Sequence, residues 1–190
     1  IWSCLVGSEM CIRDSYSSSN DTFGVFGLFY GLPSSYVSSI KTQGSRPILL
    51  DTLLDKEYSF GLFSGDNFDD TLYGETVFRG LNFTGIAFND STSPDTQAIN
   101  AWATWVSQQK KQPWFSFIEL TTVDNFSAYN ETGNNTSTLE TLKQGYHTSV
   151  NNADEELGVL FEKIKELDIG DSTVIVITSN HGTEFNETKT

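Results

Sequence analysis

The sequence predicts an α/β fold, a mostly parallel sheet flanked by helices. Two observations carry this expectation. Segments with helical spacing of apolar residues alternate with short apolar runs, in the order helix, helix, strand, helix, strand, helix, strand. Such alternation marks a sheet wound with helices on its faces. The last run, Val174-Ile175-Val176-Ile177, is unbroken in apolar, β-branched residues, as expected of a strand covered on both faces.

Each element follows from its residues. Thr22 to Tyr30 is apolar nearly all round and reads as a buried helix start, with Asn20 or Asp21 as a cap and Gly31-Leu32-Pro33 as its stop. Pro47 to Lys56 carries Leu49, Leu50, Leu53 and Leu54 at helical spacing. Tyr58 to Ser64 reads as a strand closed by Gly65-Asp66-Asn67. Asp95 to Lys111 is an amphipathic helix with Ile99, Trp102 and Trp105-Val106 on one face, and Pro113 leads into a buried strand from Trp114 to Leu120. Val123 to Ser137 is polar and Asn-rich, a loop. Leu139 to Leu167 is a long helix with Leu157, Leu160, Phe161, Ile164 and Leu167, and Gly170-Asp171 turns the chain into the final strand.

The segment Cys4 to Ser15 resembles a translated sequencing adapter, so residues 1–15 are read as non-native and 16–190 as the domain, incomplete at both ends. A signal-peptide reading fails because Glu9, Arg13 and Asp14 interrupt any apolar core. Both cysteines, Cys4 and Cys11, fall in this segment, which leaves neither a disulfide framework nor a cysteine metal site in the remainder.

The 190 residues suit one domain, and 37% apolar with 13% aromatic residues can build a core. The formal charge is −14, and without the adapter-like segment 10 basic face 23 acidic residues. No basic stripe exists to displace phosphate counterions, so nucleic-acid binding is excluded. Simple charge attraction to anionic headgroups is disfavoured too. No apolar run of membrane-spanning length occurs. Eight Asn-x-Ser/Thr triplets are scattered through an Asn-, Ser- and Thr-rich chain and read as incidental.

In sheets of this type functional residues gather beyond the carboxyl ends of the strands. That points to Ser64 to Asp66, Thr121 to Asp124 and Ser179 to His181, with the start of the Thr22 helix as a further member. Thr22 and Ser19 serve equally as helix caps. His181 suits a ligand, a general acid or base, or a structural group. His147 within the long helix reads as structural. Asp66 and Asp124 fit ligands or turns, and Glu184 fits a solvated surface.

The run Val174 to Gly182, ending Ser179-Asn180-His181-Gly182, resembles the strand plus Ser-Asp-His-Gly signature of the sulfatase and alkaline-phosphatase superfamily. A closer resemblance covers most of the segment. Tyr16 to Thr22, Gly27-Leu28-Phe29-Tyr30-Gly31-Leu32-Pro33, Gly61 to Ser64 and Trp114 to Phe117 are similar to sulfatase-like inner-membrane proteins of Gram-negative bacteria. The resemblance implies an alkaline-phosphatase-like fold and a periplasmic domain of a bacterial inner-membrane protein, held by transmembrane helices elsewhere in the chain. It implies Thr22 as catalytic nucleophile, Asn180, His181 and Thr22 at a divalent metal ion of unknown identity, and Ser19 and Asn20 beside the substrate. The substrate would be a phosphate or sulfate ester or a lipid headgroup. An envelope protein is a further partner in keeping with that subgroup's link to cardiolipin and lipopolysaccharide balance.

Three departures qualify the resemblance. Asn180 stands where the signature has Asp, and a neutral amide is a poorer ligand for a hard cation. The superfamily's first metal-binding acid and its distal histidines have no counterpart in 16–190. No Cys/Ser-x-Pro-x-Arg setting is present, which disfavours arylsulfatase chemistry and favours phosphate-ester or phosphoethanolamine-type chemistry. The expectation is therefore a metal-dependent hydrolase or transferase. The alternative is a catalytically impaired domain that binds lipid or protein and regulates envelope lipid balance, and a generic α/β domain with coincidental motifs is the third reading.

Overall fold

The computed structural model describes residues 21–66, 72–82, 84–109, 113–124, 126, 139–183 and 185. They fall into two compact units. One draws on 1–56, 68–81 and 176–190, the other on 57–67 and 82–175.

The first unit is helical. Helix α1 (Asp21–Tyr30) buries Gly24, Val25 and Phe26 and ends where Gly31, at φ +64°, returns its N–H to the Gly27 carbonyl at 2.9 Å. Left-handed backbone of this kind suits glycine and stops a helix. Pro33 opens a 3-10 turn (Ser34–Tyr36) that runs into α2 (Val37–Gln43), and Gly44, at φ +68°, closes α2 in the same way as Gly31 closes α1. Helix α3 (Ile48–Asp55) follows Pro47 and buries Leu50 completely, while Ile48 is exposed. Of the four leucines at helical spacing, only Leu50 faces the core fully; Leu49 is half-exposed. A short α4 (Leu72–Glu75) leads to Thr76, Val77 and Phe78, all buried. The ring of Phe29 meets Phe78 edge-on at 5.2 Å. Arg46 ties these pieces together: Nε donates to Asp51 Oδ1 at 2.7 Å and Nη1 to the Arg79 carbonyl at 3.2 Å.

The second unit holds the sheet. Strand β1 (Ser59–Ser64) pairs in parallel with β2 (Trp114–Glu119), in register from Ser59 opposite Trp114 to Ser64 opposite Glu119. Helix α5 (Pro94–Gln108) connects them, as a parallel pair requires a crossover. Ser93 caps α5, accepting from the Thr96 N–H at 3.0 Å, and Pro94 takes the first helical position, where no N–H is needed. The long α6 (Leu139–Glu166) lays Leu160 and Ile164 into a core with Phe63, Ala98, Ile99, Trp102 and Val106. The buried indole of Trp102 is not left unsatisfied, because Nε1 donates to Ser116 Oγ on β2 at 3.0 Å. Gly61 must lack a side chain, since a Cβ there would lie 2.8 Å from the ring of Trp105.

The α/β class and the parallel pairing are as the sequence predicts, and α1, α3, α5, α6 and both strands fall within a few residues of their expected bounds. Val174 to Ile177 departs from expectation. Among the described residues the sheet has two strands, and this run forms no ladder; Val174 is 91% and Val176 78% exposed. β-Branched composition prepares a segment for a strand, but only a ladder partner makes one. The expected loop from Val123 to Ser137 lies largely outside the described residues.

The first unit supports a prediction about pH. Tyr30 donates its hydroxyl to the Ser45 carbonyl at 2.8 Å. Burial, reinforced by the negative charge of Asp51, pushes its pKa up from 10.0 to about 12. A folded-state pKa above the unfolded one gives stability that is fully present below pH 10 and lost as the pH rises through about 12. An ultraviolet difference titration of wild type against Tyr30→Phe should show one tyrosine ionising late. A Tyr30 that titrates with the ordinary tyrosines would contradict this.

Candidate functional site

The carboxyl ends of β1 and β2 are built around one buried carboxylate. Asp95, in the first turn of α5, is fully buried. Its Oδ1 and Oδ2 accept from the backbone N–H of Thr121 at 2.9 and 3.0 Å, and Oδ2 accepts from the N–H of Thr122 at 2.9 Å. Both threonine hydroxyls donate to it as well. A carboxylate in a first helical turn also sits in the favourable end of the helix dipole. Gly65, at the end of β1, passes so close that a Cβ there would lie 2.0 Å from Asp95 Oδ1. Beside it, Ser64 Oγ donates to Glu119 Oε2 at 3.0 Å and accepts from the Asp66 N–H at 3.1 Å. Asp124 enters a turn, its N–H bonded to the Thr121 carbonyl at 3.1 Å.

Glu156 of α6 reaches the same helix start. It accepts from Thr96 Oγ1 at 2.6 Å and from Ser93 Oγ. Ser64 to Asp66 and Thr121 to Asp124 are the strand ends that the sequence predicts, whereas no feature of the sequence singles out Asp95 or Glu156. The Ser93-Pro94-Asp95-Thr96 run is the signal that marks the helix start; nothing in it marks Asp95 as the residue that receives the second strand's end.

Thr22, Asn180 and His181 lie in the first unit. Thr22 stands in the first turn of α1; its side chain, together with Ser19, Asn20 and Glu184, lies outside the described part. Asn180 and His181 are half-buried. Asn180 Oδ1 accepts from the His181 N–H at 2.9 Å, and His181 Nδ1 lies 3.0 Å from the Gly182 carbonyl oxygen. The backbone of this loop runs against α1, because a Cβ on Gly24 would lie 2.0 Å from the Asn180 carbonyl oxygen. The structure therefore brings the Asn180 backbone to the helix that carries Thr22. His147 is exposed on α6, its ring 6.3 Å from Tyr146.

Among the described residues no three His, Cys, Asp or Glu side chains gather as a cation would need. Asn180 offers a neutral amide oxygen already bonded to its neighbour's N–H, and His181 is the one imidazole beside it. These residues do not by themselves fit a divalent cation, which favours several anionic oxygens or imidazoles.

The parallel strand pair and its crossover helix define the chain as an α/β protein. The chain belongs to the sulfatase family, whose pattern it matches over residues 10–190. It is 29% identical over 176 residues to a protein of Haemophilus influenzae described only as uncharacterized, a match over 90% of this chain and 26% of that protein. It is similar to the inner membrane protein YejM of Salmonella typhimurium, 27% identical over 87% of this chain and 27% of the relative. The Salmonella typhi protein of the same name is 26% identical over the same shares. The chain thus spans about a quarter of the length of these relatives. No helix among the described residues is long and apolar enough to cross a membrane.

The buried carboxylate yields a stability prediction. Asp95→Ala would strand two backbone N–H groups that the carboxylate now satisfies, and should cost about 3 kcal/mol or more in denaturant unfolding. Asp95→Asn, which keeps one acceptor oxygen, should cost less. Equal stability of Asp95→Ala and wild type would show that the carboxylate does not hold the strand end.

Proposed function

We propose that this chain is part of a sulfatase-family domain that cleaves or transfers phosphate or sulfate esters, with the Thr22 hydroxyl as the attacking group. One observation carries the proposal: the close approach of Gly24 to Asn180, which joins the helix of Thr22 to the loop of His181. The amino end of α1, a helix of ten residues, has N–H groups with no partner within the helix and a positive field. Both suit the oxygens of a phosphate or sulfate group. Attack would form a bond from Thr22 Oγ to phosphorus or sulfur as the bond to the ester oxygen breaks. The proton lost by Thr22 ends on the departing alkoxide, and water then releases the group from Thr22, or an acceptor hydroxyl takes it. Ser19 and Asn20 would flank the substrate. A divalent cation there would need donors beyond the described residues.

The relatives named as inner membrane proteins support a place at the bacterial inner membrane, held by helices outside this segment, with this part in the periplasm. The substrate would then be an ester carried by a lipid headgroup, and an envelope protein is the second partner proposed. A competing reading, a domain that has lost catalysis and binds lipid or protein in regulating the envelope, is favoured by one specific observation. Asn180 replaces the signature carboxylate and turns its amide oxygen onto the loop's own backbone.

The test uses the whole protein. Divalent-metal content and turnover of phosphomonoesters and phosphodiesters are measured for wild type and Thr22→Ala. The expected result is turnover that falls by about 100-fold or more in Thr22→Ala. A folded wild type without turnover, whose lipid binding survives Thr22→Ala, would overturn the catalytic reading and leave the regulatory one.

A further inference from the structure

Gly24 lies in the interior of α1 and is buried. Glycine there costs about 1 kcal/mol of helix stability relative to alanine, so its presence calls for a compensating contact. That contact is the loop backbone. A Cβ at position 24 would lie 2.0 Å from the Asn180 carbonyl oxygen, 2.5 Å from its carbonyl carbon and 3.0 Å from its Cα. All three are main-chain atoms, so no rotamer change relieves the clash. Both residues belong to the same compact unit.

We propose that Gly24 is a positioning residue: by lacking a side chain it lets the Asn180 backbone seat directly on α1, and so sets where His181 stands relative to the amino end of that helix. His181 follows the loop because its N–H is tied to Asn180 Oδ1 at 2.9 Å and its ring nitrogen lies 3.0 Å from the Gly182 carbonyl. A methyl group at position 24 would push the loop back by about 1 Å or more, since real Cβ contacts under 3.0 Å essentially do not occur. A displacement of that size at reacting groups costs about 100-fold in rate. The catalytic meaning of this spacing rests on the ester-cleaving function proposed above; the spacing itself does not.

The experiment compares whole-protein Gly24→Ala with Gly158→Ala, the same change in α6 at a position where a Cβ meets nothing within 4 Å. Two readouts are taken. One is the imidazole NMR signal of His181, assigned by its loss in His181→Gln, with the His147 signal as internal reference. The other is kcat and KM on a phosphate ester. Gly24→Ala should move the His181 signal, leave that of His147 in place, and lower kcat about 100-fold with KM within about twofold; Gly158→Ala should change none of these. A folded Gly24→Ala with an unmoved His181 signal overturns the proposal. If wild type turns over no ester, the ester-cleaving function fails while the His181 signal still decides the positioning role. If Gly24→Ala does not fold, the nuclear Overhauser contact between Gly24 Hα and Asn180 in wild type decides: its presence supports the seat, and its absence overturns it.

Discussion

The sheet-bearing unit depends on the Asp95 carboxylate. A parallel strand pair has no hairpin to hold its ends in place, so something must fix where each strand stops. Here the first turn of α5 does so by accepting the backbone N–H groups of Thr121 and Thr122, while its neighbours Ser93 and Thr96 donate to Glu156 on α6. One helix turn therefore joins the end of β2, the end of β1 through Gly65, and the long covering helix. Because the carboxylate is fully buried, each of its bonds is made in a low-dielectric setting, where satisfied groups hold firmly and unsatisfied ones are costly.

The helical unit uses a different device. Its pieces are short, and short helices are marginal by themselves. Glycines at 31 and 44 stop two of them with left-handed backbone, Arg46 bridges a side chain and a carbonyl, and Phe26, Leu50 and Phe78 fill the centre. Within that frame the Asn180 backbone approaches Gly24, which brings the loop that carries His181 to the helix whose first turn holds Thr22. The residues alone would suit a capped helix and a structural histidine as well as the catalytic roles proposed above.

Much of the fold was legible in the sequence, for physical reasons that differ by element. Helix α6 and strands β1 and β2 announce themselves through apolar periodicity and through Gly and Pro at their borders. The stretch from Ser34 to Gln43 did not, although Pro33 before it and Gly44 after it are the expected punctuation; too few apolar residues lie between. The helix start at Ser93 was nearly legible, but the use of Asp95 was not, because its partners are main-chain groups 26 and 27 residues away. Among the candidate residues, Asn180, His181 and the start of the Thr22 helix were reached from the expected strand ends, and their roles through the resemblance of their surroundings. The close seat at Gly24 was invisible, since an interior glycine in an apolar helix reads only as weak propensity.

The run from Val174 to Ile177, which forms no ladder among the described residues, has a practical consequence for anyone handling this polypeptide. Four β-branched residues in sequence carry no charge and no proline, and three of them are more than half exposed. Such a stretch templates edge-to-edge pairing between molecules. Precipitation on concentration would start there, and a lysine or glutamate placed at Val174 or Val176, the two most exposed positions, is the natural remedy for keeping the material in solution.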